Sequence, residues 1–128
     1  TEICGLPGGV VANPPIVDEQ RRIAVGFDSG NGVVAAFDIA DDGSLAERWR
    51  RNQNHASHML LFAETGELVT TDHDSERFAD DIVVLDIETG DERARVASGS
   101  PVQSVLFPAA GFAGDFYYCS FAAIARVY

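Results

Sequence analysis

Residues 22–39 read Arg22-Ile23-Ala24-Val25-Gly26-Phe27-Asp28-Ser29-Gly30-Asn31-Gly32-Val33-Val34-Ala35-Ala36-Phe37-Asp38-Ile39. Two short apolar runs flank a Gly-Asn-Gly core, whose residues accept the positive φ that a tight hairpin requires. Asp41-Asp42-Gly43 then closes the second run and opens a third, Leu45 to Arg51. Ser44-x-x-Glu47 is also a capping box, and Leu45, Trp49 and Ala56 fit one helical face, so a helix over 45–53 competes with a strand there.

The same order returns downstream. Met59-Leu60-Leu61-Phe62 and Glu67-Leu68-Val69-Thr70-Thr71 flank Glu64-Thr65-Gly66, and a long polar connection from Asp72 to Asp80 leads to Asp81-Ile82-Val83-Val84-Leu85-Asp86-Ile87. Glu88-Thr89-Gly90 turns into Asp91 to Val96. Asp38 falls on Asp86 at an offset of 48 residues, and Gly43 on Gly90 at 47. A third copy starts at Pro101, with Asp115 to Ser120 and Ala122 to Tyr128 as its later strands. A period of this length with about four short strands per unit predicts an all-β chain of four-stranded antiparallel β-propeller blades. The blades span about 14–52, 55–98 and 100–128 in one partial propeller domain, residues 1–128.

The turn motif resembles the quinoprotein-like (PQQ-type, WD-like) propeller repeat, Ala-x-Asp-x-x-Thr-Gly-x-x-x-Trp. One copy reads Ala36-Phe37-Asp38-Ile39-Ala40-Asp41-Asp42-Gly43 with Trp49 downstream, two residues beyond the repeat's spacing. The other reads Leu85-Asp86-Ile87-Glu88-Thr89-Gly90, with Ala94 in place of Trp. The resemblance implies that Asp bonds turn amides, that Gly takes positive φ, and that Trp49 packs on the neighbouring blade. Enzymes of that family bind pyrroloquinoline quinone in a complete ring, with a vicinal Cys pair and a calcium held by Glu, Asn and Asp. Cys4 and Cys119 are far apart in sequence, so the redox activity does not carry over.

Three blades are fewer than the four to eight of a closed propeller. Either further blades precede Thr1, or two chains close a ring about a two-fold axis, with residues 1–12 as a possible closing strand. Self-association is therefore expected. The nine basic residues are all Arg, against 20 Asp and Glu, a net charge of -11. That balance repels phosphate, so nucleic acid is not an expected partner, and no apolar run is long enough to insert in a membrane. No signal-peptide pattern is visible, but the chain does not begin with Met, and the compartment stays open.

Two polar clusters are candidate sites. Asp72, Asp74, Asp80 and Asp81, in the segment 71–81, offer oxygens to Ca²⁺ or another divalent cation, against the plainer reading of a solvated acidic loop. His55 and His58, with Asp72 and His73, are candidate ligand-binding residues at the mouth of a central channel. Read as a strand, 55 and 58 lie on opposite faces. No catalytic residue and no resident cofactor is expected: nucleophile-elbow, dinucleotide-loop and P-loop patterns are missing from the sequence. The leading reading is a non-catalytic binding or scaffolding module. The alternative is a metal-dependent hydrolase, or another propeller enzyme, with its site in the axial funnel built from His58, Asp72 and His73.

Overall fold

The computed structural model describes residues 13–54, 58–99, 106–120 and 123–128. Among these residues eleven strands run in chain order: β1 Ile16–Asp18, β2 Ile23–Asp28, β3 Val33–Ile39, β4 Leu45–Asn52, β5 Leu60–Phe62, β6 Glu67–Asp74, β7 Ala79–Asp86, β8 Glu92–Ala97, β9 Leu106–Ala110, β10 Phe116–Cys119 and β11 Ile124–Val127. Every pairing is antiparallel and joins strands consecutive in sequence. The chain is therefore all-β among its described residues, with two four-stranded sheets, β1-β2-β3-β4 and β5-β6-β7-β8, and a three-stranded sheet, β9-β10-β11. Among the described residues the three sheets do not close into a ring. The proposed closing strand, residues 1–12, and the opening of the third repeat, residues 100–105, lie outside the described residues.

Segment 45–53 is strand β4, not a helix. Its tertiary setting decides this. β4 pairs along β3 from Leu45 opposite Ile39 to Asn52 opposite Val33, which supplies ladder bonds that an isolated helix of eight residues could not match.

Period-2 alternation sorts each strand's side chains onto two faces. Ile23, Val25 and Phe27 of β2, with Val34 and Ala36 of β3, face the second sheet. They meet Leu68, Val83 and Leu85 there, together with Met59 and Ile87, in the larger core. The second sheet's other face presents Val69 and Ile82 to Phe116 and Tyr118 of the third sheet, with Val84, Ala125 and Val127 at the margin. The middle sheet is thus apolar on both sides and the three sheets stack face to face. Its first strand, β5, lies against both β1 and β9, the first strands of its neighbours.

The motif residues join the first two sheets. Trp49 lies on β4 opposite Ala36, and its indole Nε1–H donates to the Ile87 carbonyl at 2.8 Å. The ring covers Gly90, where a Cβ would stand 2.7 Å from Trp49 Cδ2. At Arg48 and Arg93 the outer strand carries one extra residue relative to its partner, in the same place in both sheets. Each bulged arginine folds back on the motif aspartate: Arg48 Nη1 to Asp38 at 2.7 Å, and Arg93 Nη2 to Asp86 at 2.5 Å. Arg48 Nε also reaches across to the Glu88 carbonyl at 2.7 Å. The extra spacing before Trp49 is absorbed in a wider turn, in which Ala40 N–H donates to Ser44 O and Gly43 N–H to Ala40 O.

Candidate functional site

The polar segment 71–81 is a hairpin, not the long loop that its composition suggests. β6 runs through Asp74 and β7 starts at Ala79, leaving only Ser75 to Phe78 as the turn. The cause is Asp74. Its Oδ1 accepts from the backbone N–H of Glu76 at 2.9 Å and Arg77 at 3.0 Å, while Oδ2 takes Arg77 Nε at 2.6 Å. The Arg77 amide and guanidinium lower the Asp74 carboxyl below its ordinary value. The β1–β2 turn is built alike: Asp18 accepts from Arg21 N–H at 3.0 Å and from Arg21 Nη1 at 2.8 Å.

In this hairpin, register decides what the aspartates can do. Asp72 stands opposite Asp81, and His73 opposite Asp80. The pairs occupy opposite faces, because neighbouring residues of a strand alternate. On the face toward the first sheet, Arg95 of β8 bridges the two like charges, with Nη2 to Asp72 at 2.9 Å and Nη1 to Asp81 at 3.1 Å. Arg77 adds a second guanidinium on Asp81 at 2.8 Å. Burial pushes the Asp81 carboxyl up, but the bonds from Arg77 and Arg95 outweigh it and the net shift is downward. Asp72 also accepts from Asn54 N–H at 2.9 Å, which pins the end of the first sheet's last connection to the second sheet.

On the other face, His73 Nδ1 lies 3.0 Å from Asp80 Oδ1. The Asp80 side chain is only 3% exposed and that of His73 13%. A buried carboxylate at this distance fixes the orientation of the imidazole ring. Phe78 stacks edge-on to His73, with ring centroids 5.7 Å apart and planes at 79°.

The four carboxylates read from sequence as a cation site therefore divide into two groups with different partners. Asp72, Asp74 and Asp81 lie against arginine, and Asp80 against His73. Among the described residues, no three His, Cys, Asp or Glu side chains converge in a manner suited to a metal. His58 precedes β5 and is half-buried; His55 lies outside the described residues.

His73 does line an open cleft. The β2–β3 turn (Ser29, Gly30, Asn31 and Gly32), Asn54, His73 and Ser75 enclose about 440 Å³ at one end of the first two sheets. Gln53 fastens its base: the backbone N–H donates to Gly32 O at 2.8 Å, and Nε2 to Thr71 O at 2.6 Å and Thr70 Oγ1 at 3.1 Å. The turn is self-bonded, with Asn31 N–H and Nδ2 both donating to the Asp28 carboxylate, at 3.0 and 2.8 Å. Asn31 and Ser75 have no sequence pattern that marks them. Gly30-Asn31-Gly32 reads only as turn chemistry, and the cleft exists because that turn and the β6–β7 hairpin, over 40 residues apart in sequence, end side by side.

No family model matches the chain, and no curated protein matches it.

Proposed function

We propose that this chain is a run of β-propeller blades that works as a non-catalytic binding or scaffolding module and self-associates to complete its ring. The observation that carries the reading is the seam between the first two sheets. Each sheet is a consecutive four-stranded meander, the first strands adjoin, and Trp49 on the outer strand of one seats on the Ile87–Gly90 turn of the next. That is the packing the repeat's resemblance implies. A stack of such sheets buries both faces of inner members only, so its end sheets favour association.

The rival, a metal-dependent hydrolase or other propeller enzyme using His58, Asp72 and His73, is less well supported. Asp72 and His73 project from opposite faces of β6, and Asp72 is held by Arg95 and the Asn54 amide. A net charge of -11 further supports a partner other than nucleic acid or an anionic membrane.

Light scattering on the purified chain during size exclusion tests the assembly. The expected species has twice the 13.7 kDa chain mass. A monomer at all concentrations refutes ring closure by two copies. Chelator tests the rival: an unchanged melting temperature in EDTA is expected, whereas a fall reversed by added Ca²⁺ or Zn²⁺ would restore the metal-dependent enzyme.

A further inference from the structure

We propose that residues 1–12 lie across the outward face of the first sheet and cap that end of the stack. The inference goes beyond the propeller reading, because it concerns a face that the repeat by itself leaves open.

The observation is burial without a described partner. Val33, Ala35 and Phe37 alternate along β3 with Val34 and Ala36, which pack on the second sheet, so the three point away from it. They share the outward face with Ala24 and Gly26 of β2, which stand opposite Phe37 and Ala35. An uncovered face would leave these side chains in water. Instead Val33 is 9% exposed, Ala35 0% and Phe37 5%. Among the described residues, neither core includes any of the three. The repeat supplies a calibration. At the offset of 48 residues, Ala35 and Phe37 fall on Val83 and Leu85, which are fully buried beneath the first sheet. The outward face of the first sheet is therefore nearly as dry as a face covered by four strands.

This burial arises within one chain, so the cover belongs to the chain itself. The second sheet occupies the opposite face, and the third lies beyond the second. At the β4 border, Glu47 and Arg50 pair with each other at 2.6 Å and are themselves exposed, so they do not supply the cover. Connectivity names the occupant. Residues 55–57 link β4 to β5, 100–105 link β8 to β9 and 121–122 link β10 to β11, whereas residues 1–12 lead into β1, at the edge of this face. Asn13, the first described residue, already has its side-chain nitrogen buried. Ile3, Leu6, Val10 and Val11 bring apolar side chains, and Glu2 is the only charged one in the segment, so covering the face desolvates little charge. Extended chain of this length reaches roughly 40 Å, against roughly 15 Å across a four-stranded sheet. Pro7-Gly8-Gly9 interrupts strand pairing, which suits packing over a face better than an added strand at the edge of the third sheet. A second copy completing the ring would need this same face, so segment and partner compete for it.

The test places a nitroxide on Cys4 of the full chain carrying Cys119→Ser and reads paramagnetic broadening of backbone amides by NMR. Broadening is expected to be strongest at Ala24, Gly26 and residues 33–37, and far weaker in β9–β11, two sheets away at roughly 10 Å per sheet. It should persist when the labelled chain is diluted into excess unlabelled, unenriched chain. Broadening centred on β9–β11, broadening spread evenly over the chain, or none at all overturns the proposal. So does broadening that appears on isotope-enriched chain mixed with spin-labelled, unenriched chain, which assigns the cover to a second copy. Val10→Asp with Val11→Asp reads the contact as stability: the melting temperature should fall by several degrees, and a shift under about 2 °C, that of an ordinary surface change, refutes the cap. The spin label keeps the test valid if that variant fails to fold. Solution mass reports ring closure separately. A monomer with the segment on this face refutes the two-copy ring alone, and a dimer with the segment still there excludes closure through this face.

Discussion

Replacing Gly90 by Ala should destabilise the chain far more than the same change at Gly43, although the two glycines share almost one backbone conformation. Their φ angles are +77° and +80°. The left-handed region costs an L-residue about 1–2 kcal/mol, and both variants carry that term. They differ in what the new methyl meets. At Gly43 nothing lies within 4 Å, whereas at Gly90 the Cβ would sit 2.7 Å from Trp49 Cδ2 and 2.8 Å from Cε3. Ordinary carbon contacts need about 3.5–4.0 Å, so the indole must retreat by about 1 Å. That retreat breaks its 2.8 Å bond to Ile87 O, worth about 1 kcal/mol, and loosens core packing against Trp49 by about 1–2 kcal/mol more. Gly90→Ala should therefore lose about 3–5 kcal/mol and Gly43→Ala about 1–2. With a urea m-value of about 2 kcal/mol/M, the midpoints should fall by about 2 M and about 0.7 M. Far-UV circular dichroism is the right probe, because the third variant, Trp49→Ala/Gly90→Ala, lacks the indole. In that background the Gly90 change should shrink to the Gly43 value, a coupling of about 2 kcal/mol. Equal midpoints for Gly90→Ala and Gly43→Ala, or strict additivity in the cycle, would refute the Trp49 seam and with it the stacking of the first two sheets.

Three further outcomes follow from the packing and the ion pairs. Leu85→Ala, fully buried in the larger core, should lose about 2–5 kcal/mol in the same urea assay, and a loss under 1 kcal/mol would place Leu85 outside that core. Glu92 has its carboxyl lowered from 4.5 to about 2, chiefly by the Arg95 hydrogen bond, with burial opposing and Arg51 adding to the drop. A depressed carboxylate stabilises the fold above its unfolded value and loses that contribution as pH falls through the folded value. Thermal stability should hold down to about pH 5 and decline between about 4.5 and 2, with a smaller decline in Glu92→Gln; an identical acid profile for that variant refutes the assignment. Arg95→Gln leaves Asp81 with Arg77 alone and should cost about 2 kcal/mol at pH 7, read from the melting temperature, with a cost near zero counting against the bridge.

The all-β character and the strand order were legible because their determinants are local. Alternating Ile23, Val25 and Phe27, the Gly-Asn-Gly turn and the recurring Asp-x-x-x-Gly spacing each act within a few residues, and the strands formed where those patterns lay. Segment 45–53 was ambiguous for the same reason: its capping box is a local preference, overridden by pairing with β3. The site was less legible, because its grouping depends on register. One residue of phase decides whether Asp72 faces Asp81 or Asp80, and composition carries no phase. Read as loop, the cluster pools four carboxylates; as a hairpin, it splits them between the arginines Arg77 and Arg95 and the imidazole of His73. The arginines that neutralise it arrive from β8 and the turn, and the backbone amide that pins Asp72 comes from Asn54, just past β4 and 18 residues upstream. Position 78 shows the same limit, since nothing in Arg77-Phe78-Ala79, or in Arg21-Arg22-Ile23 of the β1–β2 turn, announces a left-handed residue where the β2–β3 and β7–β8 turns use glycine.

Phe78 sets backbone conformation against side-chain contact. Its ring is mostly in solvent, so Phe78→Gly gives up little burial and relieves a left-handed conformation. The folded state should gain about 1 kcal/mol, a rise of roughly 3–5 °C in melting temperature at this chain length. A neutral structural turn predicts that gain and nothing else. A melting temperature that falls on Phe78→Gly would mean that the contact with His73 outweighs the backbone strain. Phe78 would then be held at its left-handed conformation by that ring contact.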